Sequence, residues 1–209
     1  MTRQSFIGIL VLAILVLSLF VSGCASSAYY QEGGKSALNL EMPVSGKSKI
    51  VFVRPGQFIP LIAKSMHYAI HDGDKLIGIL GDSTYFVYEC EAGQHLFSCT
   101  MQNVSTLEGD LFPGRIYYVR VRPGSQFVTF MEMNAVYPGC PKNLWAKLPA
   151  MLRGAEETVI TPDAIAHDKT GIENYKEHMN KRLSEPSPDY DVIEKILPEY
   201  GQTTSISSK

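Results

Sequence analysis

Across 209 residues the chain carries 19 Lys and Arg against 21 Asp and Glu, a formal charge of −2, with 45% hydrophobic and 10% aromatic residues. So even a balance, with the basic residues scattered, excludes a partner held mainly by charge, nucleic acid above all. The length suits one modest core with extensions.

One basic residue, Arg3, precedes an apolar run from Phe6 to Val21, followed by Ser22, Gly23 and Cys24. The run is about sixteen residues, short of the roughly twenty a spanning helix needs, so a cleaved signal is predicted rather than a retained anchor. Val21-Ser22-Gly23-Cys24 resembles the signal of bacterial lipoproteins. That resemblance implies removal of residues 1–23, a diacylglycerol thioether on Cys24 and, often, acylation of the new amine. Ala25, standing where Asp would retain such a protein, implies export to the outer membrane, facing the periplasm. Two or three acyl chains hold a protein on a bilayer far more firmly than one. The alternative is an ordinary secretory signal with an incidental cysteine. Cleavage would leave 18 basic against 21 acidic residues, a formal charge of −3.

Ala25 to Ser48 is rich in Ser, Gly and polar residues and keeps no period. Residues 24–48 are therefore predicted to be a lipidated N-terminus and flexible tether, with a root-mean-square span of roughly 27 Å. Alternation of Leu38, Leu40 and Met42 leaves an edge strand as the alternative.

From Lys49 to Asn134, short runs rich in β-branched and aromatic residues stand between Gly, Pro and Asp turns. The predicted strands are Lys49–Arg54, Tyr68–His71, Lys75–Leu80, Ser83–Cys90, Gln94–Met101, Ser105–Leu111, Arg115–Arg122 and Gln126–Met133. Asp72-Gly73-Asp74 is a strong hairpin signal, because Asp and Gly tolerate positive φ; Glu91-Ala92-Gly93 and Pro113-Gly114 are expected to act likewise. Strands at this spacing predict a mainly β domain over 49–134, a small antiparallel sandwich of Greek-key or prealbumin-like type, with an open barrel as the alternative.

Several of these segments together carry a second resemblance: Ile50-Val51-Phe52-Val53-Arg54, Asp72-Gly73 with Leu76 to Leu80, Ser83-Thr84-Tyr85-Phe86, Ala92-Gly93-Gln94-His95 and Pro113 to Val121. Their order and spacing resemble the lipoprotein-associated domain of unknown function 2846 family, over about 75 to 90 residues. The family implies a β-domain on a lipid anchor and brings no catalytic residues to transfer. The tether and C-terminal extension are long for such a protein.

The candidate chemistry is sparse. His67 and His71 look like a chelating pair, yet four residues along a strand span about 13 Å, too far to share a metal. Asp72-Gly73-Asp74 lacks the further acidic ligands calcium needs. His95 near Cys90 and Cys99 raises a cysteine-nucleophile reading, but no local motif supplies a paired base or an oxyanion site. In a hairpin centred near Ala92, Cys90 would face His95 and Cys99 would face Phe86, so the thiols read as small buried apolar groups; a Cys90–Cys99 disulfide is the alternative. Cys140, in Pro138-Gly139-Cys140-Pro141, reads as the most exposed thiol. Tyr117 and Tyr118 point to opposite faces, one to the core; for the other, sheet packing is expected, with display in a surface patch for a ligand as the alternative. No metal or cofactor site is predicted.

A partly helical extension is expected over 135–200. Leu144, Trp145, Leu148, Met151 and Leu152 have near-helical spacing, interrupted by Pro149, and lie either across the end of the sandwich or on a membrane or partner. Thr170-Gly171-Ile172-Glu173 matches a capping box ahead of a helix with Ile172, Tyr175, Met179 and Leu183 on one face. Ser187-Pro188 opens a second helix with Val192, Ile193, Ile196 and Leu197. Residues 201–209 read as a disordered tail. The whole predicts a lipid-anchored envelope protein whose β-domain binds or scaffolds something, an envelope protein by preference. The alternatives are an envelope-acting enzyme with a Cys/His/carboxylate site and a passive spacer.

Overall fold

A computed structural model describes residues 30–33, 37–56, 67–100, 104–123, 131–167 and 194–206, together with 173, 176, 177 and 180. Its strands are β1 (Tyr30–Gly33), β2 (Lys47–Arg54), β3 (Tyr68–Asp72), β4 (Lys75–Leu80), β5 (Thr84–Glu91), β6 (Gly93–Thr100), β7 (Val104–Leu111), β8 (Ile116–Pro123), β9 (Met131–Val136), β10 (Glu156–Ile160) and β11 (Glu194–Ile196). Two helices, α1 (Leu144–Arg153) and α2 (Pro162–His167), flank β10 in sequence.

The strands form two sheets, ordered β1-β10-β5-β2-β8-β9 and β11-β7-β6-β3-β4. The fold is the expected mainly β sandwich. Its pairing is mixed: β2–β8, β5–β10 and β7–β11 run parallel, and the other neighbours are antiparallel.

Ile50-Val51-Phe52-Val53 and Ile116-Tyr117-Tyr118-Val119 have no polar alternation, the pattern of strands buried on both faces. Ile50, Phe52, Tyr117 and Val119 point between the sheets, where they meet Ile70, Phe97 and Leu107. Val51, Val53, Ile116 and Tyr118 point outward, and α1 covers them with Leu144, Leu148 and Leu152. Burying each such leucine contributes about 1.5–3 kcal/mol. The α1 sequence therefore lies on the outer face of the first sheet, and the helix runs through Pro149 rather than stopping there. Tyr118 is as buried as Tyr117 because this second layer exists, so both pack on the sheet and neither is displayed on the surface.

Only one of the three expected hairpins is a hairpin. Asp72 pairs with Lys75 around Gly73, whose φ of 59° suits glycine. At Glu91-Ala92-Gly93 and Pro113-Gly114 the chain instead crosses from one sheet to the other. Gly93 (φ 131°) and Gly114 (φ 69°) still take the positive φ that the sequence anticipated. Between β3 and β4 the register slips, Ile70 facing Gly78 but His71 facing Leu76, so Ile77 is a bulge. The Phe86 ring lies where a Cβ on Gly78 would stand, 2.4 Å away, and stacks on Phe52 at 5.0 Å.

The expected boundaries shift. The tether reading fails from Tyr30 onward: β1 pairs with β10, and Ala37 and Leu38 are buried in a 3-10 turn beneath the first sheet. β9 continues past Asn134 to Val136. Glu194–Ile196 is a strand beside β7 and not part of a helix. Residues 201–206 are built into the fold, Gln202 exchanging backbone hydrogen bonds with Ile116 at 2.8 and 3.0 Å. Of the helix expected after Thr170, Glu173, Lys176, Glu177 and Asn180 are helical and exposed. Its apolar face lies outside the described residues, as do residues 1–29 with Cys24.

Candidate functional site

The turns Pro43–Gly46, Glu91–Gly93 and Phe112–Gly114 gather at one end of the sandwich with the Asp72–Lys75 hairpin, because Lys47 pairs with Glu91 and Gly93 with Leu111. Two arrangements sit there. The first closes the gap between the sheets. Tyr88 comes from the first sheet and donates to Asp72 Oδ2 of the second at 3.0 Å. Asp72 also faces His95 Nδ1 at 2.8 Å, and His95 Nε2 faces the Glu91 carbonyl at 2.9 Å. The His95 ring stacks on Phe97, and Lys75 Nζ lies 5.6 Å from the Tyr88 ring centre.

Both ring nitrogens of His95 meet acceptors, so the ring satisfies both only as an imidazolium donating twice. The hydrogen bond to Asp72 is the main cause of its raised pKa; the Cys90 side chain and the Glu91 carbonyl add to it, burial opposes it, and the result is about 10. Burial, followed by the negative charge of Asp72, raises the Tyr88 phenol.

The sequence singled out His95, Cys90 and Asp72 separately, and the structure brings them together without a hairpin: β5 and β6 lie in opposite sheets and face across the core. A base for a cysteine nucleophile needs a ring nitrogen directed at the thiol. Here Asp72 and the Glu91 carbonyl take the two ring nitrogens at 2.8 and 2.9 Å, the Cys90 side chain adds to the ring's hydrogen bonding, and the Cys90 thiol sits 4.0 Å from the Ser48 carbonyl. Cys99 is fully buried, which pushes its thiol up to about 12. Cys90, Cys99 and Cys140 are unpaired and buried. Cys140 is thus not the exposed thiol its loop composition suggested, because it lies under α1. Sequence reasoning missed Tyr88, which has no motif around it and reaches Asp72 only through sheet packing.

His71 is fully buried in β3 and His67 lies just before the strand, so the extended backbone separates them. Asp72-Gly73-Asp74 is a turn whose first carboxylate belongs to His95 and Tyr88. Among the described residues no three His, Cys, Asp or Glu side chains cluster as metal ligands would.

The second arrangement is a pair of recesses on either side of the C-terminal segment. An open recess of about 360 Å³ is lined by Arg115, Tyr137, Glu199, Tyr200 and Gly201 among others. The Tyr137 and Tyr200 rings stack at 3.5 Å, and Arg115 Nη1 donates to the Gly201 carbonyl at 3.4 Å. Beside the recess, Tyr117 Oη accepts from Phe112 N at 2.8 Å and donates to the Pro198 carbonyl at 3.3 Å, tying the C-terminal segment to the sheet. A smaller recess of about 250 Å³ lies between Trp145 and Pro149 of α1 and residues 202–206. Gln202 lines both. Aromatic faces beside one cation and one carboxylate suit an extended peptide or a small ring, and neither recess is lined by a histidine or a cysteine.

No family model matches the chain, and no curated protein or solved structure matches it either. The class stated by the fold is therefore a two-sheet β-sandwich with a helix on its outer face.

Proposed function

We propose that the chain is a lipid-anchored envelope protein, acylated on Cys24 and held on the outer membrane facing the periplasm, whose sandwich binds or scaffolds another envelope protein. The observation that carries the anchor is the Val21-Ser22-Gly23-Cys24 sequence closing an apolar run too short to span a membrane. Likeness to the lipoprotein-associated domain family belongs to the same reading.

The binding part rests on the recesses around 198–206, and the non-catalytic reading is supported by Asp72 and the Glu91 carbonyl, which occupy the two ring nitrogens of His95. Mass spectrometry of the mature chain tests the anchor: an acylated Cys24 at the N-terminus is expected, and a bare one refutes it. Affinity capture from solubilised envelope tests the binding. Tyr200→Ala and Arg115→Ala are expected to lose a partner that the wild type retains, and identical partner lists would remove the recess from the reading.

A further inference from the structure

The end of the sandwich that carries the turns also carries exposed apolar side chains. Val44 is 56% exposed and Phe112 51%, while Met42, two residues before Val44, is 39% exposed. These are turn positions with fixed backbones: Lys47 N donates to the Val44 carbonyl at 3.0 Å, Ser48 Oγ to the Phe112 carbonyl at 2.6 Å, and Phe112 N to Tyr117 Oη at 2.8 Å. Phe112 is thus held outward by hydrogen bonds on both sides of its Cα. Nothing in the interior requires a large apolar residue at a position half open to water.

The strand register shows at which end of the sandwich β1 begins. β10 runs parallel to β5, with Glu157 beside Tyr85, and β1 runs antiparallel to β10, with Tyr30 beside Ile160. The first residue of β1, Tyr30, is therefore at the end of that strand nearer to where β5 finishes and Glu91 meets Lys47. Tyr30 lies six residue steps after Cys24, a reach of at most about 20 Å. An eight-residue strand spans about 26 Å, so the domain is longer than its leash. A tether of that length brings one end of the sandwich against whatever holds Cys24.

We propose that the end bearing Val44 and Phe112 rests on the lipid surface into which the acyl chains of Cys24 insert. The docking depends on the acylation read above. An aromatic and an aliphatic side chain on rigid turns suit the boundary between head groups and acyl chains, where shallow apolar insertion adds to a lipid anchor. Lys47 and Glu91 lie opposite one another beside these turns, so a zwitterionic surface suffices.

The test uses the full mature protein in phosphatidylcholine vesicles with brominated acyl chains. In a Trp145→Phe background, Phe112→Trp reports on the turn end and Glu156→Trp on the opposite end, where Glu156 pairs with Thr84. Tryptophan at 112 is expected to be quenched at least twofold more than tryptophan at 156. Val44→Trp gives an independent reading should Phe112→Trp fold poorly. Equal quenching at both ends, or stronger quenching at 156, overturns the docking. Mass spectrometry of the same preparation separates the two claims: an acylated Cys24 with an unquenched residue 112 defeats the docking alone, whereas a bare Cys24 defeats the anchor and the docking with it.

Discussion

His95 Nδ1 lies 2.8 Å from Asp72 Oδ2, joining the start of β6 to the end of β3 at the point where Tyr88 reaches across from the other sheet. Folding raises the pKa of the ring to about 10 from an ordinary value near 6.5. A raised cation stabilises the fold fully below the unfolded value, and that contribution drains away as pH climbs through the folded one. His95→Gln is therefore expected to cost about 1.5–3 kcal/mol at pH 6, the range for hydrogen bonds to a charged group. The gap between wild type and variant should close between pH 7 and pH 10 in urea titrations. A gap that stays constant with pH would show that the ring acts by packing on Phe97 alone.

Gly78 has no space for a side chain because the Phe86 ring fills it. Gly78→Ala is expected to destabilise by about 1–3 kcal/mol, the cost of overpacking a close-fitting core. Phe86→Leu should cost less in the Gly78→Ala protein than in the wild type, since a smaller side chain relieves the clash. A double-mutant cycle by chemical denaturation reads the coupling, and additive costs would refute the account.

Leu148 of α1 is fully buried against the outer face of the first sheet. Leu148→Ala is expected to cost about 2–5 kcal/mol. Tyr118 and Trp145, whose ring centres are 6.1 Å apart in an edge contact, should report the loosening as a red shift of the tryptophan emission. If α1 were bound to a membrane and not to the sheet, the soluble domain would tolerate the change.

The legible parts of the fold were those with local signals. β2 to β8 appear in the sequence as β-branched runs between turns, and the Asp72-Gly73 hairpin follows from φ preference alone. Gly93 and Gly114 were placed correctly as turns but assigned the wrong destination, because the same positive φ serves a chain folding back in its sheet and one crossing to the other. β10 was invisible: Glu156-Glu157-Thr158 has no apolar alternation, and its pairing to β5 covers only Thr84 and Tyr85. β11 read as helix because Ile193, Ile196 and Leu197 fit a helical spacing; its parallel partner Leu107–Gly109 lies more than eighty residues away. The unbroken apolar runs at Ile50–Val53 and Ile116–Val119 fit a sheet covered on both faces, but nothing in them names α1 as the cover, so the burial of Tyr118 and Cys140 was not legible. At the site, His95, Cys90 and Asp72 were visible as residue types, but their meeting depends on the β3–β6 pairing of Asp72 with Phe97 and on the approach of the two sheets.

Thiol chemistry joins the fold to the anchor in one measurement. Cys90, Cys99 and Cys140 are free and buried, at 7%, 0% and 6% exposure. Reactivity depends on an accessible thiolate, so all three are shielded in the folded protein. Native mature protein is expected to react negligibly with a thiol-specific reagent over minutes. In denaturant without reductant, three thiols should titrate when Cys24 carries a thioether and four when it is bare. A count of one with Cys24 acylated would mean that two of the three are joined in a disulfide, contrary to the free thiols of the structure. Rapid labelling of Cys140 in the native state would instead mean that α1 lifts from the sheet, the same opening that Leu148→Ala is designed to promote.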